Sequence, residues 1–222
     1  MFGRVAHRYD FANHLLSFNI DRYWRARTVS EVRPILRRPE ARVLDLCCGT
    51  GDLLMALEAA RSSACFGSDF CHPMLTAADA KLQKGNLRSR LFESDALRLP
   101  VRDSSVDLIT LAFGFRNLVN YDAGLVEMRR VLRPGGMAAI LEFSQPGNPL
   151  FAALYGFYSR RILPVIGGVI SGARDAYAYL PESVRKFPDA PQLAERMRAA
   201  GFQEVRFIRL TFGIVALHLG TV

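Results

Sequence analysis

Several features that would narrow the class of this chain at once are missing. No apolar run approaches the roughly 18 to 20 residues that cross a membrane. The longest candidate, "ILPVIGGVI" at 162–170, is short and carries a proline and two glycines. No run of about five or six basic residues occurs, so the formal charge of +8 comes from scattered arginines rather than a tail. Such an excess still leaves nucleic acid, a membrane surface or an acidic substrate as anionic partners. Histidine is scarce, and His7, His14, His72 and His218 show no metal-ligand spacing. No C-x-x-C pair exists among Cys47, Cys48, Cys65 and Cys71. Zinc held by these thiols and His72 is the sharp alternative, but vicinal cysteines are poorly placed to share one tetrahedral site, so no metal is expected. The start, "MFGRVAHRYDFANHLL", lacks a continuous apolar stretch and a small-residue cleavage site. A cytoplasmic protein with reduced thiols is the expectation. No internal repeat and no low-complexity segment interrupts the chain.

What is present is a foldable balance: half of the 222 residues are apolar and 23% are charged. Residues 1–40 read as a helical cover with aromatics, ending in "DRYWRARTVSEVRPIL". From residue 41 short apolar runs alternate with helical periodicity. "ARVLDLCC" precedes the helix "DLLMALEAARS". "CFGSDF" is closed by His72-Pro73 ahead of the helix "MLTAADAKLQ", and "RLFESDA" follows. "SVDLITLAFGF" precedes the helix "YDAGLVEMRRVL". "RPGG" then turns into the strand "MAAILEFS". Such alternation predicts an α/β fold with a parallel sheet and right-handed crossovers. Residues 41–145 carry this alternation as the core of the sheet, and 146–182 read as an irregular, aromatic-rich insertion. Residues 183–222 supply the closing helix "APQLAERMRAAGF" and the strands "EVRFIRL" and "IVALHLG". One domain over 1–222 is predicted.

The strand end "VLDLCCGTGD" carries the first functional signal. Asp45 closes a strand, Gly49-Thr50-Gly51 makes a turn, and a helix follows, an order that places a nucleotide at the carboxyl edge of a sheet. Glycine lets backbone approach a ligand, and the helix start offers N–H groups. Asp69 ends the next strand 18 residues after Gly51, where a carboxylate can accept from both ribose hydroxyls. Asp95 ends the third strand, "RLFESDA", where its side chain and the following Ala96 amide could read an adenine edge. A lone aspartate at a strand end is more often a cap, but three beside a glycine turn point to a nucleoside site. The dinucleotide fingerprint asks for a third small residue where this chain has Leu54, and Asp52 would oppose a pyrophosphate. No P-loop lysine follows. An acidic, phosphate-poor site suits S-adenosylmethionine, whose ammonium Asp45 could hold; NAD fits less well.

These stretches, with "GSDFCHPML", "DALRLPVRDSSVDLITLAFGFRN" and "RVLRPGGMAAILEFS", resemble class I S-adenosylmethionine-dependent methyltransferases. Across the whole chain they resemble more closely the C-methyltransferases of menaquinone and ubiquinone biosynthesis. The more specific motifs are "YDFANHLLSFNIDRYWR" at the front, "FGFRN", and "AYAYLPESVRKFP" with "TFGIVALHLG" at the back. The resemblance implies a Rossmann-like, mostly parallel seven-stranded sheet with helices on both faces and an N-terminal helical cover. It implies cofactor contacts at Thr50, Asp69, Asp95, Ala96 and Ala112, the last replacing a common serine. Asp21 stands where histidine is common, Cys47 and Cys48 where small residues are usual, and Arg133 where lysine is usual.

The implied reaction is methylation of a ring carbon of a prenylated demethylquinol, with demethylmenaquinol preferred and a ubiquinone-pathway benzoquinol as the alternative. Such chemistry removes a phenolic proton so that charge builds on the adjacent carbon. Arg116 is the candidate to stabilise the phenolate and Asn117 to orient the substrate or a bridging water. A structural pairing of Arg116 with a carboxylate such as Glu142 is the other reading. Arginine cannot be the base at neutral pH. Tyr9, Asp10, Asn13 and Trp24 are candidates for a lid or acceptor wall, or for ordinary aromatic packing. "FAALYGFYSRRILPVIGGVI" could admit an isoprenoid tail and touch anionic lipid at the inner face of a membrane, or form an interior helix pair. A homodimer is an open expectation. No nucleic acid is expected, since the Asn/Asp-Pro-Pro-aromatic motif of DNA amino-methyltransferases is absent where "FGFRN" stands. RNA methylation and a non-catalytic binding module are the remaining rivals.

Overall fold

Three of the four residues of β1 (Val43–Leu46) are aliphatic and all four are buried, as expected for a strand covered on both faces. The computed structural model describes residues 19–61, 63–147 and 182–222. In it β1 lies at the centre of a seven-stranded sheet of order β3-β2-β1-β4-β5-β7-β6. The other strands are β2 (Phe66–Asp69), β3 (Arg90–Glu93), β4 (Val106–Ala112), β5 (Leu132–Phe143), β6 (Gln203–Leu210) and β7 (Val215–Thr221). Neighbours from β3 to β5 pair in parallel, whereas β7 runs antiparallel to both β5 and β6. The order reverses between β1 and β4, which opens the crevice at their carboxyl ends where α/β folds bind ligands.

Helices cover both faces. Helix α1 (Ile20–Leu36) buries Trp24, Thr28, Val29, Val32, Ile35 and Leu36, one stripe at three- and four-residue spacing. With α2 (Asp52–Ala59) and α3 (His72–Lys84) it closes one core, which includes Leu54, Leu57, Leu82 and Leu108. On the other face α4 (Tyr121–Val131) and α5 (Ala190–Ala199) pack Leu125, Met128, Leu193 and Met197 against Leu44, Ile109 and Ile140. The Asn120 side chain accepts from the Ala123 amide to start α4, and Asp189 with Gln192 forms a capping box on α5.

Two boundaries differ from the sequence reading. His72-Pro73 opens α3 rather than preceding it, because proline's fixed φ suits the first helical turn and its missing N–H costs nothing there. "RPGG" lies inside β5, not before it: Leu132 already pairs with Val106, and the register shifts before Met137 meets Leu108. Gly135 takes a positive φ of 76°, and its N–H donates to the Val222 carbonyl. The bulge therefore ties the strand to the C-terminus.

Candidate active site

The glycine turn leaves β1 through Cys47, which adopts φ 53°, and reaches α2 through Gly49 (φ 55°) and Gly51 (φ 86°). These left-handed residues swing the backbone out over the β1 edge and straight into the helix. A Cβ built on Gly49 would meet nothing within 4 Å, so this backbone faces open space. The cysteines are packing groups. Cys47 fills the hollow beside Gly114, where an added Cβ would stand 2.5 Å from its own, and the Cys48 sulfur lies against Gly67. Burial, reinforced by Asp69 and Asp45, pushes both thiols far above their usual range, so neither ionises near neutral pH.

Asp45 is fully buried in the sheet. Its Oδ1 accepts from the Thr110 hydroxyl at 2.6 Å, across the β1–β4 register that sets the two residues side by side. Its Oδ2 is the one buried carboxylate oxygen among the described residues with no hydrogen-bond partner. Desolvation raises the Asp45 pKa from 3.8 to about 7, opposed by the Thr110 hydrogen bond and the Arg25 charge. An aspartate held this way favours a cationic partner.

Asp69 is fixed by two amides: Gly49 N–H donates to Oδ2 and Cys71 N–H to Oδ1, both at 2.8 Å. Burial raises its pKa despite these bonds. The carboxylate thus joins the glycine turn to the β2 edge and keeps lone pairs for a diol. Asp95 lies two residues beyond the end of β3, in a turn where its Oδ1 accepts from the Leu97 amide at 2.9 Å, and Ala96 beside it is buried. Thr50 is buried, and its hydroxyl accepts from Lys81 Nζ at 3.1 Å. Lys81 also reaches Asp52 Oδ1 at 2.8 Å, and Arg25 stands 3.5 Å from Asp52 Oδ2. Two cations therefore offset the charge of Asp52. What disfavours a dinucleotide is Leu54, whose fully buried side chain occupies the helix–sheet contact over Gly67.

At the end of β4, Ala112 leads into Phe113 at φ 59° and a single 3₁₀ turn, Phe115–Asn117. Arg116 is buried. Its Nη1 donates to Glu142 Oε1 at 3.0 Å and to the Phe113 carbonyl, its backbone N–H donates to Glu142 Oε2 at 3.1 Å, and its guanidinium lies over the Phe143 ring. The pairing with Glu142 considered from sequence is thus present. Asn117 is exposed on the same turn.

A model of the ubiE/COQ5 methyltransferase family matches residues 1–222. The chain belongs to this family. It is 47% identical over 221 residues to a demethylmenaquinone methyltransferase of Thermus thermophilus, covering 99% of each chain. It is 44% identical to the ubiquinone/menaquinone biosynthesis C-methyltransferase UbiE of Syntrophotalea carbinolica, covering 99% of this chain and 92% of that one. The fold is also that of a crystallised SAM-dependent methyltransferase from Thermotoga maritima. There the TM-score is 0.68 at 16% identity, covering 99% of this chain and 97% of the other. The Rossmann-like methyltransferase architecture expected from sequence is the one observed.

Within this methyltransferase the structure brings Asp45, Gly49, Thr50, Gly51 and Asp69 together around one turn. Asp95 with Ala96 follows the end of β3, and Ala112 closes β4 with Arg116 and Asn117 just beyond it. Trp24 of α1 is buried: its Nε1 donates to Thr211 at 2.8 Å, and its ring packs on Phe113 and Phe143. It is a wall behind the β4 end rather than an open face. Tyr9, Asp10 and Asn13 lie outside the described residues, as does "FAALYGFYSRRILPVIGGVI". Sequence reasoning missed Thr110, Arg25 and Lys81. Parallel register would have found Thr110 opposite Asp45, but nothing local announces the other two, because their contacts bridge separate helices. Among the described residues no helix is long and apolar enough to cross a membrane.

Proposed function

We propose that this chain methylates a ring carbon of a prenylated demethylquinol, demethylmenaquinol in the first instance. The observation that carries the reading is similarity over the full length to proteins so named, together with a strand-end site built for a cationic nucleoside. S-adenosylmethionine, when bound, supplies an electrophilic methyl group on a sulfonium. The residues present fit it: Asp45 Oδ2 for the ammonium, the open backbone at Gly49, Asp69 for the ribose, and Asp95 with the Ala96 amide for the base.

For the acceptor, the work falls to the β4 end. Loss of the phenolic proton places charge on oxygen and, through the ring, on the carbon that forms the new C–C bond; the ring proton then leaves and aromaticity returns. Arg116, locked in position by Glu142 and the Phe113 carbonyl, supplies positive charge beside that oxygen, and exposed Asn117 orients the acceptor or a bridging water that takes the proton. The rigidity of the turn favours positioning as the main source of rate.

A prenyl tail needs an apolar route. Phe70, Val119 and Phe212 are 75%, 92% and 77% exposed and follow the ends of β2, β4 and β6, all on the carboxyl edge where the site lies. We infer from these side chains that the carboxyl edge touches the face of a membrane. The test is methyl transfer from labelled cofactor to a demethylquinol or to RNA, with label partitioned into organic or aqueous phase. Label in the organic phase is expected, and label with RNA would overturn the reading. Asn117→Ala should bind cofactor within about twofold of wild type while kcat falls roughly 100-fold, the scale of one positioned polar group. Full activity would remove Asn117 from the mechanism.

A further inference from the structure

Among the described residues, three buried polar atoms at the carboxyl edge of the sheet have no hydrogen-bond partner: Asp45 Oδ2, Arg116 Nε and Ser144 Oγ. The first is an acceptor and suits a cation. The other two can donate, and each costs stability until something accepts from it. Ser144 carries the one buried hydroxyl in this condition; those of Thr28, Thr50, Ser68 and Thr110 are all engaged. The Ser144 backbone, by contrast, is held, because its amide donates to the Ile214 carbonyl at 2.8 Å and extends the β5–β7 ladder past Phe143. Strand alternation then turns Ser144 to the same face as Glu142, while Phe143 between them packs on Trp24 and Phe113. Glu142 holds the Arg116 guanidinium at 3.0 Å, with the guanidinium carbon 5.3 Å from the Phe143 ring centroid. The two unused donors therefore share one corner of the sheet, at the β5 end and on the face away from Asp45. An oxygen gaining negative charge is repelled by Asp45 and stabilised by fixed donors in place of the water it has left.

We propose that Ser144 donates to the acceptor's phenolic oxygen beside the carbon being methylated, as the partner of Arg116 Nε in a two-donor seat for the phenolate. This rests on the quinol reading of the site. The phenolic proton passes to water, and the serine keeps its own. Its hydrogen bond to the oxygen strengthens as charge builds there, before the C–S bond breaks and the new C–C bond forms.

The test compares wild type with Ser144→Ala and Ser144→Cys. Because the hydroxyl is unpaired in the ligand-free protein, its removal should leave the thermal midpoint unchanged or raise it by about 2–4 °C. At pH 7, kcat for a demethylquinol should fall roughly 10- to 100-fold in Ser144→Ala with KM held within about threefold, the signature of a bond made mainly in the transition state. Fewer donors raise the bound phenol's pKa, so the rising limb of kcat against pH should move up by about one to two units and the deficit should narrow in alkali. Ser144→Cys, with a weaker donor, should lie between. A direct reading comes from 4-methoxy-3-prenyl-1-naphthol bound with S-adenosylhomocysteine, whose ionisation is followed by absorbance and should move up by the same amount. An equal loss of kcat at every pH, a loss confined to KM, or an unmoved ionisation of the bound naphthol would each overturn the role of Ser144 and leave the quinol reading standing. Failure of wild type to methylate any quinol would overturn both.

Discussion

Asp45 in β1 and Glu142 in β5 are both 1% exposed, two strands apart and on opposite faces of the sheet. Glu142 is complete within the protein. Two donors from Arg116 and the Phe143 amide at 2.8 Å engage its two oxygens, and one of those donors carries a full positive charge. Asp45 has a neutral hydroxyl on one oxygen and nothing on the other. A buried ion pair roughly offsets its own desolvation, whereas a half-partnered carboxylate stays costly until a ligand completes it. The first arrangement fixes the shape of a turn, and the second stores a demand for a cation.

The largest way to break this comparison is to make Glu142 resemble Asp45. Arg116→Ala leaves Glu142 buried without its charge partner, which costs about 3–5 kcal/mol. The midpoint of thermal unfolding should fall by roughly 6–20 °C for a chain of this size. The double variant Arg116→Met with Glu142→Met should recover most of that loss, since the pair exchanges for apolar packing, and yet it should stay slow in methyl transfer. A double variant as unstable as the single one would show that the turn depends on more than the pair.

The opposite operation relieves Asp45. Its folded pKa of about 7 lies above the ordinary 3.8, so between these values the folded protein keeps a proton that the unfolded chain has released. The contribution of Asp45 to the stability of the ligand-free protein is therefore greatest below about pH 4, falls as pH rises toward 7, and stays low beyond it. Asp45→Asn should flatten that slope in denaturant titrations at pH 5 and pH 8, while its cofactor affinity drops about 10- to 100-fold. Wild-type affinity should rise between pH 6 and pH 7.5, by up to about tenfold, because binding an ammonium expels the proton from Asp45. Affinity that is constant over this range would mean that the cation does not sit on Asp45.

The same contrast marks how far the sequence could be read. Strand ends were visible because buried parallel strands are unbroken apolar runs stopped by turn residues, so Asp45 and Asp69 fell near where the runs stopped, whereas Ala112 came from the family resemblance alone. Arg116 and Glu142 were also visible as a candidate pair, since strands four and five are neighbours in such sheets. The Arg25–Asp52–Lys81 cluster was not, because it depends on the angle at which α1 and α3 meet α2, which packing decides and no local pattern carries. Pro73 and Gly135 misled for a related reason. Each is a breaker in isolation, but the first suits a helix start and the second a bulge.

The smallest expected effect concerns the vicinal cysteines beside Asp45. Cys47 holds a left-handed φ of 53°, which costs a side-chain-bearing residue on the order of 1 kcal/mol that glycine does not incur. Its Cβ abuts Gly114, so the side chain adds little beyond filling that hollow. Cys47→Gly removes the strain and a small apolar contact together, two terms of similar size and opposite sign. Stability should change by less than about 1 kcal/mol, and methyl transfer should persist. Gly49→Val places a β-branched side chain in the same left-handed region and fills the space before the turn, and there cofactor binding should be lost. If titration instead showed Cys47→Gly to be the variant that cannot bind, the thiols and not the backbone would carry the site.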